Sequence, residues 1–372
     1  MNSPAEVANW RLIVLAAALA LPLFIMLNGA SVTLPDSYYK ASGIPVHASA
    51  VLFLLLPKRF LKSRTELLFL LVYLIYCAVA LLDSGERLQT TVQLGYFIYA
   101  YKILSGLSPE TIKTLDLYIA VIGSAFIFIH VISIADAYMI GNPLGSSTNI
   151  FGFVIYQSHL TYPVVLTLIL VSVDRSFEHR PILKLGMIIL VMLIELVLMR
   201  RVGFGLFLIF LFLFERRVFI FSILAIVAAG VLSAEFGNSI LSKMPNLVRL
   251  TQIAAGSDQR SNAWQTSLDY LNETSIVLFG NGLNNYSHNF FLHTVTTHGL
   301  PISIVFFVLI VYCIYKMVKK IGVFNKKSLL IIAIIAVDWS VNANIYQPYY
   351  SVMFAFFLVS GTILTREKHA NQ

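Results

Sequence analysis

The sequence predicts an all-α, polytopic membrane protein with about twelve transmembrane helices. Of its 372 residues, 58% are hydrophobic and only 12% are charged, a composition too apolar for an ordinary soluble domain. The apolar runs are continuous and approach the ~20 residues that a spanning helix needs. A membrane barrel would instead show alternating segments of about ten residues, so the helical class is favoured.

Twelve apolar runs justify the spans, taken in order along the chain. They lie near residues 11–28, 44–57, 66–83, 92–106, 117–138, 150–173, 185–200, 202–214, 217–233, 299–316, 328–345 and 349–365. The second, fourth and eighth runs are short, so a merger of spans or a partly inserted segment stays open there. We find no internal repeat and assign residues 1–372 to a single membrane domain.

The distribution of basic residues predicts the orientation. With a cytoplasmic N-terminus, 19 of the 26 Lys and Arg residues fall on the cytoplasmic side, as the positive-inside rule requires. An odd number of spans would scramble this pattern, so both termini are expected in the cytoplasm. The outward basic residues are Lys40, Arg87, Arg200, Arg201, Lys243, Arg249 and Arg260. The net charge of +8 thus reflects topology, and no nucleic-acid partner is expected.

One connection is far longer than the others. Residues 234–288, between the ninth and tenth spans, form a predicted external loop that contains short helical patterns and turn signals. Long ordered loops usually carry function. We therefore expect the functional residues to lie in this loop or at the membrane edge beside it.

Two arginines stand where the topology rule disfavours them. Arg200 and Arg201 lie at the external end of the seventh span, where transferring a guanidinium into the membrane costs about 2.5 kcal/mol or more. Their position favours an anionic partner. Snorkelling of the side chains to lipid headgroups is the alternative interpretation.

The long loop contains a third candidate cation. Arg260 precedes Trp264 and Leu268 at helical spacing, which puts a cation beside an aromatic stripe. A solvated arginine on an ordinary amphipathic helix is the alternative. Three external arginines at one membrane edge would suit a diphosphate, because guanidinium groups bind phosphate oxygens through paired hydrogen bonds.

A histidine follows at the entrance of the tenth span. His288 and Asn289 come after a glycine turn at residues 280–282, and nine residues separate Asn289 from Gly299. An imidazole with an ordinary pKa near ~6.5 can accept a proton from a hydroxyl group at neutral pH. A polar interfacial residue is the alternative, and spacing alone does not decide between them.

The sequence does not indicate a metal site. His288, His293 and His298 are five residues apart, which spreads them around a helix instead of clustering them. Cys77 and Cys313 lie inside apolar runs, so neither a disulfide framework nor a thiolate site is expected. The chain has no Asp-x-Asp string.

The segment from Arg260 to about Phe307 resembles the shared core of bacterial O-antigen polymerases (Wzy) and O-antigen ligases (WaaL). The resemblance rests on an arginine shortly before Trp264, the FGNGL turn, and HN followed after nine residues by a glycine. The layout of about twelve spans with one large, late external loop is similar too. The rest of the chain matches by layout alone.

The resemblance implies a fold and an activity. Both families are inner-membrane glycosyltransferases of the GT-C type, which transfer undecaprenyl-diphosphate-linked glycans at the periplasmic face. His288 would be the catalytic base, and Arg201 and Arg260 would bind the diphosphate. No cofactor and no metal is implied.

The other candidate substrate-binding residues follow from the same motifs. They are Arg200, Asn289 and Trp264. Arg201 is preferred to Arg200 because it precedes the small pair Val202-Gly203, as the family pattern has it. Ile302 stands where ligases tend to carry a small or hydroxyl-bearing residue, which favours polymerase over ligase.

The resemblance also implies the partners. The donor would be a glycan linked to undecaprenyl diphosphate, and the acceptor would be either a growing lipid-linked glycan or the lipid A core. Membrane lipid, a flippase and a chain-length regulator are the further partners. The sugar composition and the acceptor cannot be read from these residues.

Other functional classes stay open. A lipid-linked oligosaccharide flippase should carry ionisable residues deep in several spans, and the candidates here are His130, His159, Glu195 and Asp338, with Gln157 and Asn342 as polar company. A peptidoglycan polymerase of the shape, elongation, division and sporulation type would depend on a periplasmic aspartate, for which Asp258 and Asp269 lack the expected surroundings. The tyrosines that could stack on sugar rings, or serve as interfacial anchors, are Tyr346, Tyr349 and Tyr350.

Overall fold

The computed structural model describes residues 9–20, 27–28, 64–83, 85–139, 148–150, 153–155, 162–198, 201–224, 259–281, 289–322, 324–340 and 348–370. The span predicted at 44–57 lies outside these ranges, as do Arg200, His288 and much of the loop at 234–288.

The described part of the chain is predominantly α-helical, which confirms the all-α part of the prediction; the count of twelve spans stays a prediction. Its N-terminal helices are α1 (Asn9–Ala20), α2 (Arg64–Asp83), α3 (Gly85–Leu104), α4 (Pro109–Met139), α5 (Tyr162–Ser176), α6 (Pro181–Leu198) and α7 (Arg201–Phe214). Residues 216–224 are helical as well. Then come α8 (Gln259–Tyr270), α9 (Thr274–Phe279), α10 (Phe290–His298), α11 (Leu300–Ile321), α12 (Lys326–Ile334), the π-helical segment (Ile335–Trp339) and α13 (Pro348–Ala370).

Three short strands depart from the helical prediction. Strands β1 (Leu27–Asn28), β2 (Thr148–Ile150) and β3 (Phe153–Ile155) form an antiparallel sheet in the order β1-β3-β2. The spans predicted at 11–28 and 150–173 were therefore wrong at these residues. Short apolar runs rich in β-branched and aromatic residues fit a strand as well as a helix, and periodicity does not separate the two.

Two of the described helices are long and apolar enough to cross a membrane, judged by length and composition: Pro109–Ile129 within α4, and Leu300–Ile321. On α11, Ile304, Val308 and Val311 are each at least half exposed. These positions share one face of the helix. An apolar face of this kind, left uncovered by the rest of the chain, is compatible with membrane association.

The buried core draws on helices from both halves of the chain. Helix α13 packs against α3, where Phe354 contacts Phe97 with ring centroids 6.0 Å apart. A buried ion pair between Arg175 and Asp116 joins α5 to α4, and Ser172 also donates to Asp116 at 2.8 Å. Burying two charged groups is tolerated only when their hydrogen-bond partners compensate for the lost hydration. These contacts therefore fix how α4 and α5 pack against each other.

Helix α7 runs antiparallel to α12 and the π-helical segment. Lys326, at the start of α12, lies 5.6 Å from the ring of Phe214 at the end of α7. Helix α7 has 14 residues, and α12 and the π-helical segment have nine and five. Helix α7 also contacts the π-helical segment. Arg201, the first residue of α7, therefore lies near the level of the last residue of that segment.

Candidate functional site

The nine residues between HN and Gly299 form helix α10. Asn289 caps its first turn, because the carboxamide oxygen accepts a hydrogen bond from the backbone N–H of Leu292 at 3.0 Å. Gly299, at φ 80°, ends the helix with its N–H bonded to the carbonyl of Val295. The spacing of the motif is thus the length of one short helix with a polar cap at one end and a glycine at the other.

Two motif glycines allow a close backbone approach, which we call the glycine clasp. Gly280 and Gly299 have φ values of 70° and 80°, a region that side chains other than glycine rarely adopt. A Cβ atom on Gly280 would lie 2.8 Å from the Gly299 nitrogen, and one on Gly299 would lie 2.8 Å from the Phe279 nitrogen. Nearby, the Asn281 N–H donates to the carbonyl of Thr296 at 2.8 Å. Phe279, Gly280 and Asn281 are therefore held against the C-terminal end of α10.

Arg87 cross-links the same two segments from helix α3. Its Nε donates to the carbonyl of Thr297 at 3.1 Å, and its Nη2 donates to the carbonyl of Phe279 at 3.0 Å. Both acceptors are main-chain groups near helix ends, where carbonyls lack a helical partner. From the sequence, Arg87 is only one of the outward basic residues, five residues before the span predicted at 92–106; the structure places it in the first turn of α3.

His298 is buried and bonded through both ring nitrogens. The Tyr76 hydroxyl lies 2.9 Å from Nδ1, and the Thr90 hydroxyl lies 2.9 Å from Nε2. The Thr90 hydroxyl also bonds the carbonyl of Arg87 at 3.2 Å. A neutral imidazole, with one donor and one acceptor nitrogen, satisfies both ring contacts. Burial, reinforced by His293 and Arg87, lowers the pKa of His298 from 6.5 to about 3.

The start of α10 is attached to the π-helical segment. The carboxamide nitrogen of Asn289 donates to the carbonyl of Ser340 at 2.8 Å. The next residue, Phe290, is fully buried, and its ring centroid lies 5.0 Å from that of Trp339. The residues directly after His288 are thus held by one polar and one aromatic contact.

A buried hydrogen-bonded chain lies behind this attachment. Trp339 Nε1 donates to the Tyr350 hydroxyl at 2.9 Å, and the Asp338 carboxyl group interacts electrostatically with that hydroxyl. Both Asp338 and Tyr350 are fully buried. The interpretation of Tyr350 as a sugar-stacking residue was wrong, because its ring stacks on Phe354 instead.

The elements that carry the predicted arginines contact the same region. Arg201 is the first residue of α7, which contacts the π-helical segment, and Arg260 is in the first turn of α8, which contacts α10. Trp264, on α8, is half-buried. Its indole N–H makes no hydrogen bond within the described ranges. The side chains of Arg201 and Arg260 lie outside the described residues, as do Arg200 and His288 entirely.

Within the described residues, no group of three or more His, Cys, Asp or Glu side chains is arranged to hold a metal ion. No protein-family model matches this chain, and neither a curated protein nor a solved structure matches it. Function is therefore argued from the residues and their contacts.

The glycine clasp leads to a stability prediction. Replacing Gly280 or Gly299 with Ala should lower the free energy of unfolding by about 1–3 kcal/mol more than replacing Gly322. Gly322 has a φ of 88° but open space around its Cα, so it shares the backbone strain of about 1–2 kcal/mol and lacks the steric overlap. Equilibrium unfolding in detergent micelles measures the difference. An equal loss of unfolding free energy at all three positions would show that the close backbone approach does not affect stability.

The neutral His298 leads to a pH prediction. The unfolded chain binds a proton at this residue below pH 6.5, whereas the folded protein does so only near pH 3. Stability from this residue is therefore complete above pH 6.5 and falls by roughly 1.4 kcal/mol per pH unit below it. His298→Gln, which lacks the titration, should show a shallower decline in unfolding free energy between pH 6.5 and 4. Parallel curves would contradict the assignment.

Proposed function

We propose that this chain is a multi-pass glycosyltransferase of the bacterial inner membrane, with both termini cytoplasmic. It joins oligosaccharide repeat units carried on undecaprenyl diphosphate at the periplasmic face, as an O-antigen or related surface-polysaccharide polymerase. The reaction inverts the anomeric centre and uses no metal and no cofactor.

One observation carries the proposal: the contact between the three elements that bear its candidate residues. Helix α8 packs on α10, α10 is attached to the π-helical segment through Asn289, and the π-helical segment contacts α7. These elements come from distant parts of the chain. Their contact supports a shared site for His288, Arg201 and Arg260.

The proposed chemistry needs one base and one anion-binding pair. His288 accepts the proton of the acceptor hydroxyl as that oxygen attacks the anomeric carbon of the donor. The bond from that carbon to the diphosphate oxygen breaks, and undecaprenyl diphosphate leaves with the electron pair. Arg201 and Arg260 stabilise the charge that develops on it. Trp264 and Arg200 are proposed to contact the substrate as well.

The acceptor distinguishes a polymerase from a ligase. Ile302, in the first turn of α11, is half-buried, and an aliphatic side chain here departs from the ligase pattern. Transfer to lipid A core is therefore the second candidate. A flippase would instead require ionisable groups along a pathway. Among the candidates for that role, Asp338 is fully buried beside Trp339 and Tyr350, which favours a fixed structural role over transport.

Deleting the gene tests the reaction class. Loss of a polymerase should leave single repeat units on the lipid A core, because the ligase still transfers unpolymerised glycan. Loss of a ligase should strand full-length polymer on undecaprenyl diphosphate. Electrophoresis of surface polysaccharide and of extracted lipid-linked glycan separates the two outcomes. An unchanged surface glycan would refute both.

Substitution of the candidate residues tests the mechanism. His288→Ala should lower the rate of polymer formation by roughly 10²–10⁴-fold, the range typical of a lost general base, and Arg201→Ala or Arg260→Ala by roughly 10²-fold or more. His179→Ala and Arg217→Ala are matched controls, since both side chains are exposed at distant positions. Rates are measured in membranes adjusted to equal protein abundance. A His288→Ala variant with the control rate would exclude the base.

A further inference from the structure

We infer that the π-helical segment and Tyr350 form a platform that positions His288, and that Asp338, Tyr350 and Asn289 are its positioning residues. The inference rests on the proposed function, because His288 is the group whose placement matters.

The segment has an uncommon backbone. Residues Ile335–Trp339 form a π-helix that continues α12, and such turns are rare and occur frequently at functional sites. A π turn inserts an extra residue into the helical ladder, which changes the direction of the side chains that follow. Here those side chains are Asp338 and Trp339, both buried.

A directional hydrogen-bond chain holds these side chains. The Trp339 indole can only donate, and it donates to the Tyr350 hydroxyl at 2.9 Å. The hydroxyl proton of Tyr350 is then free to point toward the Asp338 carboxyl group, with which it interacts electrostatically. Helix α13 thereby fixes the Trp339 ring. In a buried setting, removing the central hydroxyl leaves a donor and an acceptor unpaired.

The fixed Trp339 ring in turn supports the start of α10. The Phe290 ring lies between Trp339, at 5.0 Å, and Phe307 of α11, at 5.6 Å. Directly after the segment, the carbonyl of Ser340 accepts from Asn289. The two residues that directly follow His288 are thus both held by neighbours of Asp338.

Asn289 performs two separable tasks. Its carboxamide oxygen caps α10 through Leu292 N–H, and its nitrogen reaches Ser340. Capping alone would be served equally well by Ser or Asp. Only an amide side chain of this length can accept from Leu292 N–H and donate to Ser340 at the same time. Capping alone therefore does not explain the bond to Ser340.

Catalytic placement is sensitive to this support. A displacement of about 1 Å at a reacting group can cost roughly 10²-fold in rate. Loss of the cross-link should therefore lower kcat and leave KM nearly unchanged, since the bond that is lost joins Asn289 to Ser340 and not to α7 or α8. Loss of fold would instead reduce the amount of active protein.

The kinetic test uses variants that keep the cap. Asn289→Ser and Asn289→Asp retain an oxygen for Leu292 N–H and lose the donor to Ser340. We expect a fall of about 10- to 100-fold in kcat with KM within about threefold of the wild-type value.

Tyr350→Phe should have the same effect on kcat and KM. Tyr118→Phe is its matched control, because the half-buried Tyr118 hydroxyl makes no hydrogen bond in the described part of the chain. Wild-type kcat in both Asn289 variants would overturn the inference.

A second readout does not depend on activity. A nitroxide spin label at position 288, introduced as His288→Cys in a Cys77→Ala, Cys313→Ala background, should give an immobilised electron paramagnetic resonance spectrum. The spectrum should narrow when Asn289→Ser or Tyr350→Phe is added, whereas a label at the exposed residue Glu273 should not respond. An unchanged spectrum at position 288 would overturn the platform even if Tyr350→Phe folds poorly.

The two readouts separate the possible failures. If the wild-type protein makes no polymer and His288→Ala changes nothing, the proposed function fails, and the spin-label result alone decides whether the platform holds residue 288. If the wild-type protein is active, His288→Ala is inactive, and the Asn289 variants keep the wild-type kcat, the function stands and the platform fails.

Discussion

The backbone contact between the glycine turn and the end of α10 is the constraint on which the site depends. A helix of nine residues is shorter than the ~12–15 residues that a helix needs to persist alone, so its ends must be held from outside. Gly280 and Gly299 hold one end by allowing main chain to approach main chain. Asn289 holds the other through Ser340. With both ends fixed, the surrounding helices determine the direction of α10 between Asn289 and Gly299.

Polar groups fix α10 at both of its ends, and each of these groups has a hydrogen-bond or electrostatic partner. At the glycine end, Arg87 satisfies two main-chain carbonyls, and the hydroxyls of Tyr76 and Thr90 satisfy His298. At the other end, an indole, a phenol and a carboxyl group form one chain. An unpaired polar group in such surroundings costs about 1–3 kcal/mol. The polar residues therefore select one arrangement of the apolar helices, which pack with little directional preference of their own.

The local pattern of apolar residues predicted the helices but not the long-range contacts that hold α10. The apolar runs at 66–83, 185–200 and 299–316 predicted α2, α6 and α11 with small errors at their ends, because spanning length and continuity are local properties. The strands at 148–155 were missed because pairing with Leu27 and Asn28 is a long-range choice. The partners of Asn289 and His298 lie 51 and more than 200 residues away. No spacing rule could supply them, although Asp338 was recognisable as an ionisable residue within an apolar run.

The histidines of this segment show why residue type alone does not assign a role. His298 and the HN pair lie at opposite ends of α10, about 14 Å apart at 1.5 Å per residue. Neither nitrogen of His298 is open to a metal ion or a substrate, because Tyr76 and Thr90 occupy both. Its pKa near 3 also makes it a poor proton acceptor at neutral pH. His298 is therefore unsuited to act as the base of the proposed transfer, and the proposal gives that role to His288, which directly precedes Asn289 in the sequence.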